Sequence, residues 1–224
     1  MMTNLFSSFD PSTNFISMSF NWLSIFLGIF FPPLTFFFPQ NRMKLVVLTI
    51  NKTLFNEFKM LMSINSMNGN SIIFITLFTF IFYNNFLGLM PYIFTATSHM
   101  VFTFSFSLTI WLTLMFFGWV NNYFHMMAHL IPNGTPLILT WFMVIIETTS
   151  NIIRPGTLAV RLMANMTAGH LLLTLLSDIN NKVNLIMVTF IILIQILLLL
   201  LEMSVAVIQA YVFFILSTLY TTEI

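Results

Sequence analysis

Among the ionisable side chains within or beside stretches that are otherwise apolar are Glu147, Arg161, His170, Glu202 and Glu223. A charge at bilayer depth costs several kcal/mol and is kept where it is paired, faces a water-filled cavity or performs a function. Arg161 sits among Leu158, Val160, Leu162 and Met163, too far from either end of its run to reach the interface easily. It must meet a carboxylate or water. Asn165 lies one helical turn further on the same face, with Ala168 and Gly169 beyond it, and such a small, polar stripe lets another helix approach closely. The same position would suit an arginine that merely pairs with Glu147 or Glu202 to hold a bundle together.

His170 follows Arg161 by nine residues, about 900° of helix, so the two side chains point to opposite faces, about 13–14 Å apart along the axis. In the next apolar run Gln195, Glu202 and Gln209 recur every seventh residue, which makes one polar seam. If the two runs pack antiparallel, facing residues have numbers of constant sum. The sum is 370 for Arg161 with Gln209, 372 for His170 with Glu202 and 370 for Glu147 with Glu223. One register therefore brings the unusual polar residues together at three levels, although the set is small enough for coincidence. A His170–Glu202 pair suits proton exchange near neutral pH, and would equally serve as a satisfied polar contact.

His125 and His129, one turn apart, have the spacing of two metal ligands. The intervening Met-Met-Ala lacks the glutamate of an H-E-x-x-H zinc hydrolase, and no acid or cysteine nearby completes a ligand set. They read as ordinary helix-surface residues, and neither a metal nor a cofactor is expected. With no cysteine in the chain, thiolate catalysis and Cys-ligated metal centres are excluded.

The elements that position these groups follow from hydropathy. Apolar residues make up 58% of the 224 and charged ones only 6%, against roughly a quarter charged in soluble domains, so lipid must be the main solvent. Apolar runs occur at Phe20–Phe38, Ser71–Met90, Met100–Val120, Pro136–Ser177 and Leu185–Tyr220. Each is long enough to approach or exceed the roughly 20 residues that cross a bilayer as a helix. The reading is an all-α, polytopic membrane protein with about five membrane helices. Between Arg42 and Lys59, Leu45, Leu48, Phe55, Phe58, Leu61 and Met62 alternate with basic residues, as in an amphipathic helix on the membrane surface. The last two runs are too long to stand upright, so a steeply tilted antiparallel pair is expected. Pro155-Gly156 should kink or break the first of them.

Four of the seven basic residues, Arg42, Lys44, Lys52 and Lys59, lie in the segment after the first run. The excess of positive charge places it on the cytoplasmic side or its equivalent, the mitochondrial matrix, with the N-terminus opposite and the C-terminus on the same side as the basic segment. The stretch before Trp22 holds Asp10 but no Lys or Arg, so no cleaved targeting segment is expected. No repeat is visible, and the short polar links leave one integral domain over 1–224, with N-terminal helices in 1–135 and the long pair in 136–224. The scattered basic residues form no stripe for nucleic acid.

The stretch Val160-Arg-Leu-Met-Ala-Asn-Met-Thr-Ala-Gly-His170 resembles the central motif of the subunit a family of F-type ATP synthases, most closely in its mitochondrial form. Glu202-Met-Ser-Val-Ala-Val-Ile-Gln-Ala-Tyr-Val-Phe213 resembles the family's partner motif on the last helix, and together the pair is highly specific. Weaker matches at Asn4-Leu-Phe, Phe31-Pro-Pro, Asn85-Phe-Leu-Gly-Leu-Met-Pro91, Gly134-Thr-Pro136 and Ile145-Ile-Glu-Thr extend it over nearly the whole chain. The resemblance implies a non-catalytic stator subunit of the Fo sector in the mitochondrial inner membrane. Its partners would be the rotating c-ring, the peripheral stalk and other Fo subunits, and its cargo the proton. Arg161 would attract the ring carboxylate and separate two offset half-channels. His170 and Glu202 would line the intermembrane-space side, Asn165 and Gln209 would flank the arginine, and Glu147 and Glu223 would line the exit to the matrix. Arg154 departs from the pattern as an extra basic residue before the central motif.

A self-sufficient secondary transporter would be expected to show internal repeats as well as broken helices at the midplane, and no repeat is visible. A purely structural subunit of a respiratory complex would leave Arg161 as packing. An enzyme is disfavoured because no catalytic constellation of Ser, Cys or metal ligands is present.

Overall fold

The computed structural model describes residues 5–13, 18–30, 42–61, 68–131, 136–180 and 184–223. All regular structure in these residues is helical. Short 3-10 turns at Leu5–Phe9 and Phe20–Leu23 lead into α1 (Ser24–Phe30), followed by α2 (Arg42–Leu61) and α3 (Asn68–Gly88). A 3-10 turn at Ala96–Ser98 precedes α4 (Met100–Asn121), α5 (Tyr123–His129), α6 (Leu137–Asn180) and α7 (Leu185–Glu223).

Four helices are long and apolar enough to cross a membrane, at Ser71–Gly88, Met100–Asn121, Leu139–Asn180 and Ile186–Thr221. The first expected run contributes a shorter apolar helix, Phe20–Phe30. The remainder of that run, the Phe31-Pro-Pro match included, lies outside the described residues. Serine and threonine punctuate the spans without breaking them, because their hydroxyls donate to carbonyls one turn back, as Thr79 does to Thr76 at 2.9 Å and Thr113 to Ile110 at 2.8 Å. In hydrocarbon such internal satisfaction is obligatory.

The core lies where four helices converge. Leu54 and Phe58 of α2, one turn apart, pack against Phe74, Phe78 and Ile81 of α3, Leu158 and Leu162 of α6, and Ala210, Phe213 and Phe214 of α7. The amphipathic α2 thus docks on the bundle by one narrow stripe. Leu45, Leu48, Phe55 and Leu61, which the sequence assigns to its apolar face, remain exposed. An exposed apolar stripe beside basic residues fits an interfacial position.

Two local features differ from the sequence reading. α6 continues through Pro155 as one 44-residue element, about 66 Å at 1.5 Å per residue, so of the kink or break expected there the break does not occur. Proline is tolerated inside membrane helices when neighbouring elements and local adjustment satisfy the freed carbonyl. The Asn121–Gly134 linker in turn contains α5, which carries His125 and His129.

Candidate functional site

α6 and α7 pack antiparallel, and two contacts fix their register. At one level the backbone of Gly169 abuts Glu202 so closely that a Cβ added to the glycine would fall 2.6 Å from Glu202 Oε1. Nearer the other end the Arg154 guanidinium lies over the Tyr220 ring, 5.6 Å from its centroid. The residue numbers sum to 371 and 374. The facing register inferred from polar spacing is therefore present to within about one turn. Absence of a side chain at Gly169 allows this approach, and small residues are the usual means by which membrane helices meet closely.

Beside the crossing a cleft of about 260 Å3 opens between α6, α7 and α3. Its polar lining is Asn85 from α3, Asn165 from α6, and Glu202 and Gln209 from α7. At roughly 30 Å3 per molecule the volume would accommodate several waters. Asn85 is 0% exposed and Glu202 8% exposed. Neither the Asn85 amide nor either Glu202 oxygen finds a hydrogen-bond partner among the described residues. Buried polar atoms without protein partners are costly unless water satisfies them, and a cleft in which four polar side chains converge has room for water to do so. Asn85 was not among the candidate site residues. The available signal was the Asn84-Asn85 pair inside an otherwise apolar span.

His170 does not join Glu202. Its Nε2 is buried with no partner, and neither Glu202 oxygen has one. The ring meets Phe9 edge-on, with centroids 6.3 Å apart, and sits against the backbone of Gly88. The residue that faces Glu202 is Gly169. One further residue rotates the side chain about 100° around α6, away from α7 and toward the N-terminal 3-10 turn and the end of α3. The constant-sum argument captured the level of His170 but not its direction.

Arg161 is exposed, and among the described residues it has neither an ion pair nor a hydrogen bond. Its neighbours Leu158 and Leu162 turn into the core, whereas Asn165, Ala168 and Leu172 continue an open stripe from Arg161 along α6. The alternative in which Arg161 pairs with Glu147 or Glu202 to stabilise the bundle is not what the chain adopts. Glu147 lies near a different cation, Arg154 Nη2, at 3.8 Å, two turns along the same face of α6. Arg154, left without a role by the sequence, thus connects Glu147 to Tyr220 on α7. Glu223 closes α7, and its side chain lies outside the described ones. Gln209 is half-buried at the cleft wall. No three His, Cys, Asp or Glu side chains gather at metal-binding range among the described residues.

The geometry is one permanently charged group on an open helix face, a buried carboxylate beside a cleft with four polar side chains in its wall, and a half-buried imidazole on another face. Such an arrangement can move protons between water and titratable groups while keeping a fixed positive charge at the surface. Residues 13–222 match the family model described as ATP synthase A chain. The chain is 55% identical over 224 residues to ATP synthase subunit a of Locusta migratoria, covering all of both chains. It is 53% identical over 225 residues to that of Anopheles gambiae and 55% identical over 224 residues to that of Drosophila melanogaster, again over the full length of each.

Proposed function

The chain belongs to the ATP synthase A chain family, and on that premise we propose that it is the proton-translocating stator subunit of an Fo sector in the mitochondrial inner membrane. It forms two offset half-channels against a rotating c-ring, with the N-terminus in the intermembrane space and the C-terminus in the matrix. Proton flow through them drives rotation, and the subunit carries no catalytic site of its own. The peripheral stalk and other Fo subunits hold it against the ring.

The observation that carries this reading is Arg161 on an open stripe with no anionic partner among the described residues of its own chain. An arginine does not give up its proton in a protein, and an unpaired cation in hydrocarbon is costly, so an anion from another chain must meet it. A ring carboxylate has the required charge and depth. After losing its proton it is held by Arg161, and the fixed positive charge repels a proton that would pass straight from one half-channel to the other. Glu202, Asn85 and the cleft form the intermembrane-space half-channel, with His170 at its mouth. Asn165 and Gln209 flank the arginine, and Glu147 and Glu223 lead out to the matrix. A structural subunit would have no reason to keep Arg161 unpaired.

The test is ATP-driven proton pumping and passive leak in sealed vesicles holding the assembled enzyme with Arg161→Ala, beside Arg154→Ala. Lost pumping with a leak that requires the ring carboxylate is the expected outcome for Arg161→Ala alone. Normal pumping would return the structural and transporter readings.

A further inference from the structure

α2 carries one acid, Glu57, among the basic residues Arg42, Lys44, Lys52 and Lys59. Its neighbours Leu54 and Phe58 are buried in the bundle core, so the backbone at Glu57 is fixed against α3 and α7. Tyr211 of α7 donates its phenolic O–H to Glu57 Oε2 at 3.2 Å, a contact spanning 154 residues of sequence. Glu57 is exposed, and no lysine or arginine stands in ion-pair range of it among the described residues. The carboxylate is therefore oriented from one side by a neutral donor, left without a cation among the described residues, and exposed on the basic helix α2.

Its position relative to the half-channels is specific. Tyr211 follows Gln209 of the cleft by two residues, and by the Gly169–Glu202 register it lies at the level of Arg161. It is nine residues from Glu202, about 900° of helix, so Tyr211 and Glu202 point to opposite faces of α7, about 13–14 Å apart along the axis. The inlet carboxylate and the Glu57–Tyr211 pair are thus separated both around and along the helix. Of the elements packed on α2, α3 offers Tyr83 and no charged residue, and α7 offers Tyr211.

We propose that Glu57 is a proton-exchanging carboxylate on the matrix face of the subunit, on the exit side of Arg161 and held in place by Tyr211. The proposal rests on the stator reading above, which puts the basic α2 on the matrix side. In synthesis the Glu57 carboxylate takes a proton from water in the exit path and becomes a carboxylic acid. It then returns that proton to bulk water and is a carboxylate again. In ATP-driven pumping the same exchange runs in reverse, collecting protons from the matrix-side medium. Tyr211 keeps its proton throughout and acts as a positioning residue.

The experiment uses inside-out vesicles with the whole enzyme, in which the matrix side faces a medium whose buffer concentration is set at will. Glu57→Gln is isosteric and still accepts the Tyr211 hydrogen bond, so a merely structural role survives it while proton exchange does not. Several-fold slower pumping at low external buffer is expected, restored by a mobile buffer such as imidazole. Glu57→Asp should retain most of the rate, and Tyr211→Phe should show a smaller, buffer-responsive loss. Wild-type pumping by Glu57→Gln at low buffer, or a defect that added buffer leaves untouched, would overturn the proposal. Arg161→Ala in the same vesicles separates the two levels: if that variant pumps, the stator reading itself has failed and this proposal with it.

Discussion

Gly169 and Glu202 meet where the two long helices cross more closely than a methyl group allows: a Cβ at residue 169 would stand 2.6 Å from Glu202 Oε1 and 2.7 Å from its Cδ. Glu202 is buried there with both oxygens unpartnered by protein, so the glycine fixes where that carboxylate stands in the cleft. Gly169→Ala should displace Glu202 or part the helices, at a cost of about 1–3 kcal/mol typical of overpacking. Pumping should fall while the subunit still assembles, and Gly169→Val should be worse on both counts. Thermal unfolding of the detergent-solubilised enzyme together with vesicle pumping would measure this. An alanine variant with unaltered melting and unaltered pumping would mean that the close approach is not maintained in the assembly.

Much of this arrangement was legible because a helix converts spacing into direction. The seven-residue recurrence of Glu202 and Gln209 placed both on one cleft wall, and the constant sum gave the register that Gly169 and Glu202 adopt. What failed depended on rotation about the axis by one residue. His170 shares a level with Glu202, but its direction is set by Phe9 and Gly88, which are remote in sequence and carry no periodic signal. Asn85 entered only at the head of a weak motif match and not as a site residue, because amides in an apolar span read as packing until other helices close around them. Docking of α2 through Leu54 and Phe58, rather than through its wider apolar stripe, could not be inferred because both stripes have helical periodicity.

Arg154 should be nearly dispensable for folding. Its guanidinium is 3.8 Å from Glu147, with the two side chains 32% and 28% exposed. Partly solvated pairs of this kind contribute about 0–1 kcal/mol, and a cation over an aromatic ring about 0.5–1 kcal/mol. A double-mutant cycle between Arg154→Ala and Glu147→Ala, read by thermal unfolding, should give a coupling energy within that range. Coupling well above it would show that other subunits bury the pair in the assembled enzyme.

Gly28 of α1 bears on the attachment of the first helix to the bundle. A Cβ there would fall 2.8 Å from Asn84 Nδ2, the same nitrogen that donates to the Phe80 carbonyl at 2.9 Å. Gly28→Ala must therefore turn the Asn84 side chain and strain or break that bond, or push α1 off α3. A loss of about 1–3 kcal/mol is expected, seen as faster proteolysis of the N-terminal segment before global melting changes. Equal proteolysis rates in the two proteins would show that α1 accommodates the methyl group by a small shift.

Asn85 offers a case in which stability and transport should move in opposite directions. Its amide is wholly buried and finds no partner among the described residues, a state that costs about 1–3 kcal/mol when water does not compensate. Asn85→Leu keeps the branched outline, with its larger methyl groups beside the cleft, and removes that unmet demand, so the melting temperature should stay level or rise. The same change makes the α3 wall of the cleft apolar beside Glu202, where a water-filled path needs hydrogen-bonding partners. Proton pumping should then fall even though the protein is no less stable, and Asn85→Gln should recover part of the rate by restoring an amide. If Asn85→Leu instead pumps normally, the cleft is not a water path and Glu202 must exchange protons by another face. If it both destabilises the protein and stops pumping, Asn85 has a partner in the assembly, and the amide is structural.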